Sequence, residues 1–336
     1  MKITVLGDGG WGTALAVMLD RQGKEVLLWS AFAEYARQLD SKRENIKFLP
    51  GVPLSKKIRI SSDLEEAVHF GEVIIFAIPT QFLRNVLYKA QPSWFDEKTI
   101  VSVAKGVEKK TLLRPSEIIT AQVPNARLVV LSGPSHAEEV ARQIPTCVVA
   151  ASRNTLLSQF VQNNFSDENF RIYTSDDVIG VELGGALKNV LALAVGIADG
   201  LKLGENTKAA LMTRGMIEIA RLGIRMGAHS NTFFGLAGIG DLITTCFSPF
   251  GRNLKVGVMI GEGKTVEEIT SSMQMVAEGV STTEAAIELG RKYQVEMPII
   301  QEIHQVVTGK KPAMSAVHAL MSRKLRSEFL VTQGHR

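Results

Sequence analysis

A strand, a glycine turn and a helix follow one another without a break at the start of the chain, and that order constrains the fold more than any other stretch. Residues 1–19 read MKITVLGDGGWGTALAVML. Residues 3–6 have the β-branched character of a buried parallel strand. Gly7-Asp8-Gly9-Gly10-Trp11-Gly12 then fits G-x-G-x-x-G. Gly7 would make the tight turn, Gly9 would let backbone approach a pyrophosphate with no Cβ in the way, and Gly12 would let the helix over 13–20 pack close to the strand. Phosphates would sit on the N-terminus of that helix, where unpaired N–H groups and the dipole favour an anion.

Residues 25–29 form a second strand, whose end should face the adenosine ribose. NAD-selective sites commonly carry an acidic residue there, about 20 residues beyond the glycines, bonded to the 2′-hydroxyl. Here Ser30-Ala31-Phe32 fills the corner. No carboxylate excludes a 2′-phosphate and no arginine binds one. Phe32 is placed either to stack on adenine or to pack on its own domain.

Further strands are expected at 58–60, 72–78, 99–103, 128–131, 146–150 and 170–173, with a helix at 64–68. Thr80-Gln81-Phe82 reads as a loop at the carboxyl end of the fourth strand, where open α/β sheets bind ligands, which makes Phe82 a cofactor candidate. The next two strands end in Ala104-Lys105-Gly106 and Ser132-Gly133-Pro134-Ser135-His136. Beyond Asp176 the strands stop and helices are expected at 178–198, 207–225, 242–247, 254–260, 266–271, 282–292, 299–308 and 312–320. The fold class is therefore α/β: a doubly wound Rossmann domain over 1–176, then an all-α domain over 177–336, with the ligand cleft between them.

Composition narrows the partners. The net charge of +4 is spread over pairs such as Lys56-Lys57, Lys109-Lys110 and Lys310-Lys311, which read as solvated faces rather than a nucleic-acid surface. Cys147 and Cys246 lie far apart with no C-x-x-C or histidine neighbour, so neither a disulfide framework nor a zinc site is expected. No signal peptide is apparent. The longest apolar run, 183–198, is interrupted by Lys188 and Asn189 and falls short of the roughly 20 residues that span a bilayer. A cytoplasmic protein without metal is expected.

Three constellations carry chemistry. Lys188 is the only charged residue in LGGALKNVLALAVGIA. It reads either as a snorkelling or ion-paired structural lysine, or as a desolvated general acid or base facing a cleft. Gly184 and Gly185 beside it would admit a cofactor or another helix. Asp241 follows the glycine-rich run 235–240 and reads either as an N-cap or, with Thr245 four residues on and on the same helix face, as an acceptor and hydroxyl offered to one ligand. In Phe250-Gly251-Arg252-Asn253, the arginine fork and the following N–H groups suit a phosphate, although a lone arginine is often a surface residue.

GDGGWGTALA, LSGPSHAEEVA, ELGGALKNVLALAVGIADGL, NTKAALMTRGMIEIARLG and GLAGIGDLITTC together resemble, in order and over nearly the whole chain, the bacterial NAD(P)-dependent sn-glycerol-3-phosphate dehydrogenases. The resemblance implies a Rossmann domain, a helical second domain, a homodimer, and interconversion of dihydroxyacetone phosphate with sn-glycerol 3-phosphate using NAD(P)H, for phospholipid synthesis. Carried over by position, Lys188 matches the family's proton-transferring lysine. Lys105, Gly133, Ser135, Asp241, Arg252 and Asn253 match substrate contacts. Gly10, Trp11, Phe32, Lys105, Ala137, Arg252, Val276 and Glu278 match cofactor positions.

The chain departs from the family pattern where Gly10 replaces serine, Ala31-Phe32 replaces a corner rich in histidine or arginine, Gly251 replaces the serine of S-R-N, and His136 replaces phenylalanine. Two rival readings remain at this level: another two-domain reductase of the ketopantoate or 6-phosphogluconate type, or a non-catalytic NAD(P)-binding sensor.

Overall fold

β1 (Lys2–Leu6) lies at the centre of the architecture, hydrogen-bonded to β2 (Glu25–Trp29) on one side and β4 (Val73–Phe76) on the other, all parallel. The computed structural model describes residues 1–248, 251–272, 278–325 and 327–328. β3 (Arg59–Ser61), β5 (Thr99–Ser102), β6 (Arg127–Ser132), β7 (Thr146–Ala151) and β8 (Phe170–Ser175) complete an eight-stranded sheet in the order β3-β2-β1-β4-β5-β6-β7-β8. The first six strands are parallel in the order expected of a dinucleotide-binding sheet.

The edge differs from a continuous parallel sheet, because β7 pairs antiparallel with β6 and β8 runs parallel to β7. The physical reason lies in the connection. A parallel crossover needs a helix long enough to return the chain to the start of the sheet, and the link after β6 carries only the five-residue helix Ala137–Ala141. β7 therefore begins at the end where β6 stops. The short helix packs instead on the first helix, Gly10–Arg21, whose Arg21 donates to the Ala141 carbonyl at 2.5 Å.

Near-continuous apolar strands are buried on both faces, as parallel sheets require. Val5, Ile75, Val101 and Val129 meet one apolar layer, and Leu6, Ile74, Phe76 and Ile100 meet the other. Residues 33–42, 115–122 and 155–165, given no element in the sequence reading, are helices. Residues 80–82 are a correction: they open the helix Thr80–Leu87 rather than forming a loop, because Pro79 fixes φ at the cap and needs no N–H there.

The C-terminal helices begin at Val178, after a cap in which the Asp177 carboxylate accepts from Gly180 N at 2.8 Å, His229 N at 2.9 Å and the Thr232 hydroxyl at 2.6 Å. Their axis is the helix Val178–Gly200, 23 residues with a mean hydropathy of 1.7 in its most apolar window, 89% of which is buried. Length alone would let it cross a bilayer, but helices Gly204–Arg225, Arg252–Gly261 and Glu278–Tyr293 enclose it, as they do the core helix of a globular domain.

Candidate active site

The glycine loop has the backbone that its residues demand. Gly7 stands at φ 121°, and a Cβ there would lie 2.6 Å from the Ala77 carbonyl. A Cβ on Gly12 would lie 2.0 Å from the Gly7 carbonyl, so helix and strand can meet only without one. Gly9 faces open space and caps the helix Gly10–Arg21 with no side-chain bond. The N–H groups of the first turn thus point to a place where an anion can approach. Phe32 and Phe82, 71% and 61% exposed, stand beyond the ends of β2 and β4 on either side of this loop. Trp11 is half-buried, and Ala137 lies 3.7 Å from where a Gly10 Cβ would be. Val276 lies outside the described residues.

Gly10 and His136, where the resemblance implies other residues, each have a structural neighbour that suits them. The Phe48 carbonyl rests over Gly10, where a serine Cβ would come within 2.7 Å of it. Asn45 holds that loop down: its Nδ2 donates to the Asp8 carbonyl at 2.8 Å and to Thr13 Oγ1 at 2.7 Å, while its Oδ1 accepts from Phe48 N at 3.0 Å. His136 caps the short helix Ala137–Ala141, and its Nε2 lies 3.4 Å from the Thr244 carbonyl, tying the end of β6 to the helical domain.

Lys188 is 6% exposed and Asp241 1%. Lys188 Nζ donates to Asp241 Oδ1 at 2.5 Å and to Thr245 Oγ1 at 2.6 Å. Lys105 Nζ donates to the other carboxylate oxygen at 2.8 Å and to the Gly133 carbonyl at 3.2 Å. One carboxylate therefore bridges two ammonium groups from opposite domains. The Thr245 hydroxyl passes its own proton to the Asp241 carbonyl at 2.7 Å, so towards Lys188 it can only accept. Burial pushes Lys188 down to about 8; the Asp241 charge opposes that shift and the Lys105 charge adds to it. The open alternatives thus narrow: Lys188 does not snorkel, and Asp241 lies inside the helix Asp241–Phe247, capped by Gly240, with its side chain turned to the lysines.

The glycines around this cluster act on protein rather than on ligand. A Cβ on Gly184 would meet the Ala237 carbonyl at 2.5 Å, and one on Gly185 would meet Ser132 Oγ at 2.6 Å. Gly133, at φ 138°, turns the chain at the end of β6. Its carbonyl also accepts from Ser135 Oγ at 2.8 Å.

The phosphate candidates sit on the helix Arg252–Gly261, capped by Gly251. Gly251 is crowded as well: a Cβ there would lie 2.7 Å from the Thr245 carbonyl. The 8%-exposed Asn253 accepts from Gly279 N at 2.9 Å through Oδ1, which keeps its amide nitrogen as a donor. Glu278, half-buried next door, has its carboxyl raised by burial, with Arg252, Lys105 and Lys188 pulling the other way, so all four share one electrostatic neighbourhood.

A seam that sequence reasoning missed sets this helix in place. Gly196 and Gly200 cross Gly257 and Gly261; a Cβ on Gly196 or Gly200 would lie 2.9 Å from the facing glycine Cα and 2.2 or 2.3 Å from a carbonyl. Paired small residues four apart let two backbones touch, and the four-residue spacing in both segments was the available signal. The seam brings Asn253 to the turn of the buried helix that carries Lys188 and Asn189.

The chain as a whole matches known proteins in sequence and in fold. Residues 2–158 match the N-terminal domain, and residues 177–318 the C-terminal domain, of NAD-dependent glycerol-3-phosphate dehydrogenase. The chain belongs to that family. Glycerol-3-phosphate dehydrogenase [NAD(P)+] of Pelotomaculum thermopropionicum is 49% identical over 326 residues, covering 96% of this chain and 93% of its own. The Bacillus subtilis protein of the same name is 48% identical over 325 residues, covering 96% and 94%. Among solved structures, glycerol-3-phosphate dehydrogenase from Coxiella burnetii aligns with a TM-score of 0.92 at 35% identity, covering 96% of this chain and 99% of that one. Among the described residues of this family member, no group of three histidine, cysteine, aspartate or glutamate side chains converges as a metal site.

Proposed function

We propose that the chain reduces dihydroxyacetone phosphate to sn-glycerol 3-phosphate with NAD(P)H, and that Lys188 transfers the proton. The observation that carries this is the buried Lys188–Asp241–Lys105 cluster at the junction of the two domains. The open face of Gly9 and the helix start without a side-chain cap fit a dinucleotide pyrophosphate, with Gly7, Gly10, Trp11, Gly12, Phe32, Phe82, Ala137 and Glu278 around it. When bound, NAD(P)H supplies the hydride to the C2 carbonyl carbon.

Arg252 and Asn253, on a helix start capped by Gly251, hold the substrate phosphate. Lys188 donates its proton to the C2 oxygen as negative charge develops there, and leaves as a neutral amine held by Asp241 and Thr245. Its lowered pKa, about 8, suits donation near neutral pH. Lys105 keeps a second positive charge beside the same oxygen. Gly133 and Ser135 line the side of the cleft nearest β6. In the reverse direction the neutral Lys188 takes the alcohol proton.

The family likeness supports division of the chain at 176/177, a homodimer and a cytoplasmic setting for this reading. The test is spectrophotometric: nicotinamide oxidation on addition of dihydroxyacetone phosphate, in wild type and Lys188→Met. Methionine suits a buried helix, so the variant should fold and lose about 10² to 10⁴ in rate, as when a positioned acid is removed. Activity within about tenfold of wild type would assign the proton to another group.

A further inference from the structure

The carboxylate that NAD-selective Rossmann sites carry at the end of β2 is missing from Ser30-Ala31-Phe32, and the neighbouring strand supplies one. Gly7 N donates to the Trp29 carbonyl at 3.1 Å, so Asp8 leaves β1 directly beside Ser30 as it leaves β2. The backbone of Asp8 is fixed there, because its carbonyl accepts from Asn45 Nδ2 at 2.8 Å. Asn45 is itself held by the Tyr35 hydroxyl at 2.6 Å. The Asp8 side chain is half-buried, and its Oδ2 is buried with no hydrogen-bond donor. Burial raises the Asp8 carboxyl above the usual range, with a side-chain hydrogen bond from Ser30 and the Lys47 charge opposing, so the missing donor is at Oδ2 alone.

A buried carboxylate oxygen without a donor costs free energy unless a ligand supplies the hydrogen bond. The group that reaches the end of β2 in this fold is the adenosine ribose, whose hydroxyls are such donors. We propose that Asp8 replaces the β2 carboxylate, accepting from the ribose hydroxyls of NAD(H) and disfavouring the 2′-phosphate of NADP(H). A 2′-phosphate brings negative charge against the carboxylate and removes the hydroxyl that it accepts from. The inference rests on the dinucleotide site of the proposed function and adds the choice between its two cofactors.

Calorimetric titration of NADH and of NADPH, without substrate, into wild type, Asp8→Asn and Asp8→Ala tests it apart from catalysis. Wild type should bind NADH more tightly. Both variants should move the ratio of the two Kd values at least about tenfold towards NADPH, which corresponds to about 1.4 kcal/mol. Wild type that binds NADPH as tightly as NADH, or variants whose ratio stays within about twofold of wild type, overturn the inference and leave the dinucleotide site standing. Wild type that binds neither nucleotide overturns the site itself and the inference with it.

Discussion

Replacing Asp241 by asparagine keeps the shape of the side chain and removes the one negative charge between two lysines. Lys188 sits near 8 because burial lowers it while Asp241 raises it, with Lys105 on the lowering side. A unit charge about 4 Å away is worth roughly 4 kcal/mol at an effective dielectric of 20, and about 1.4 kcal/mol corresponds to one pKa unit. That sets a scale of roughly three units. The asparagine oxygen can still accept from Lys188 Nζ, so a fall of about two units, to about 6, is expected.

The sign follows from the role. Reduction needs the protonated lysine, so the wild-type rate should fall as pH rises through about 8, and the oxidation rate should rise through the same value. In Asp241→Asn both limbs should move to about pH 6. At about pH 7.5 the protonated fraction then drops from about three quarters to about 3%, a loss of roughly 25-fold in reduction that largely recovers at about pH 5.5. The assay is the pH profile of kcat for dihydroxyacetone phosphate reduction at saturating cofactor and constant ionic strength. A limb that stays within about half a unit of wild type would refute Lys188 as the titrating group.

Two further outcomes are expected. Arg252→Lys loses the planar fork, so binding of dihydroxyacetone phosphate should weaken by about 1.5 to 3 kcal/mol while unphosphorylated dihydroxyacetone is unaffected; equal losses for both would place Arg252 on the cofactor or the fold. Gly196→Ala puts a Cβ 2.2 Å from the Leu254 carbonyl; the helices must part at a cost of about 1 to 3 kcal/mol, read as a lower Tm together with a raised KM for the phosphorylated substrate, and an unchanged Tm would mean that the seam is loose.

What could be read from the residues was whatever depends on neighbours in the chain. The glycine loop, the strand alternation and the lone charge of the buried helix are local patterns, and each corresponds to a local physical demand: a positive φ at Gly7, two buried faces for each central strand, a partner for an interior ammonium. The antiparallel return of β7, by contrast, follows from the shortness of one connecting helix, and neither β6 nor β7 records its direction in its own residues. The alternative roles of Asp241 could not be separated either, because N-cap and ligand differ only in where the carboxylate turns. Lys105, 136 positions away in sequence, decides that. Asp8 shows the same limit from the other side. A scan for an acid at the end of β2 follows chain position, whereas a ribose would meet whatever charge the sheet brings to that corner, and the pairing of β1 with β2 brings one from the preceding strand.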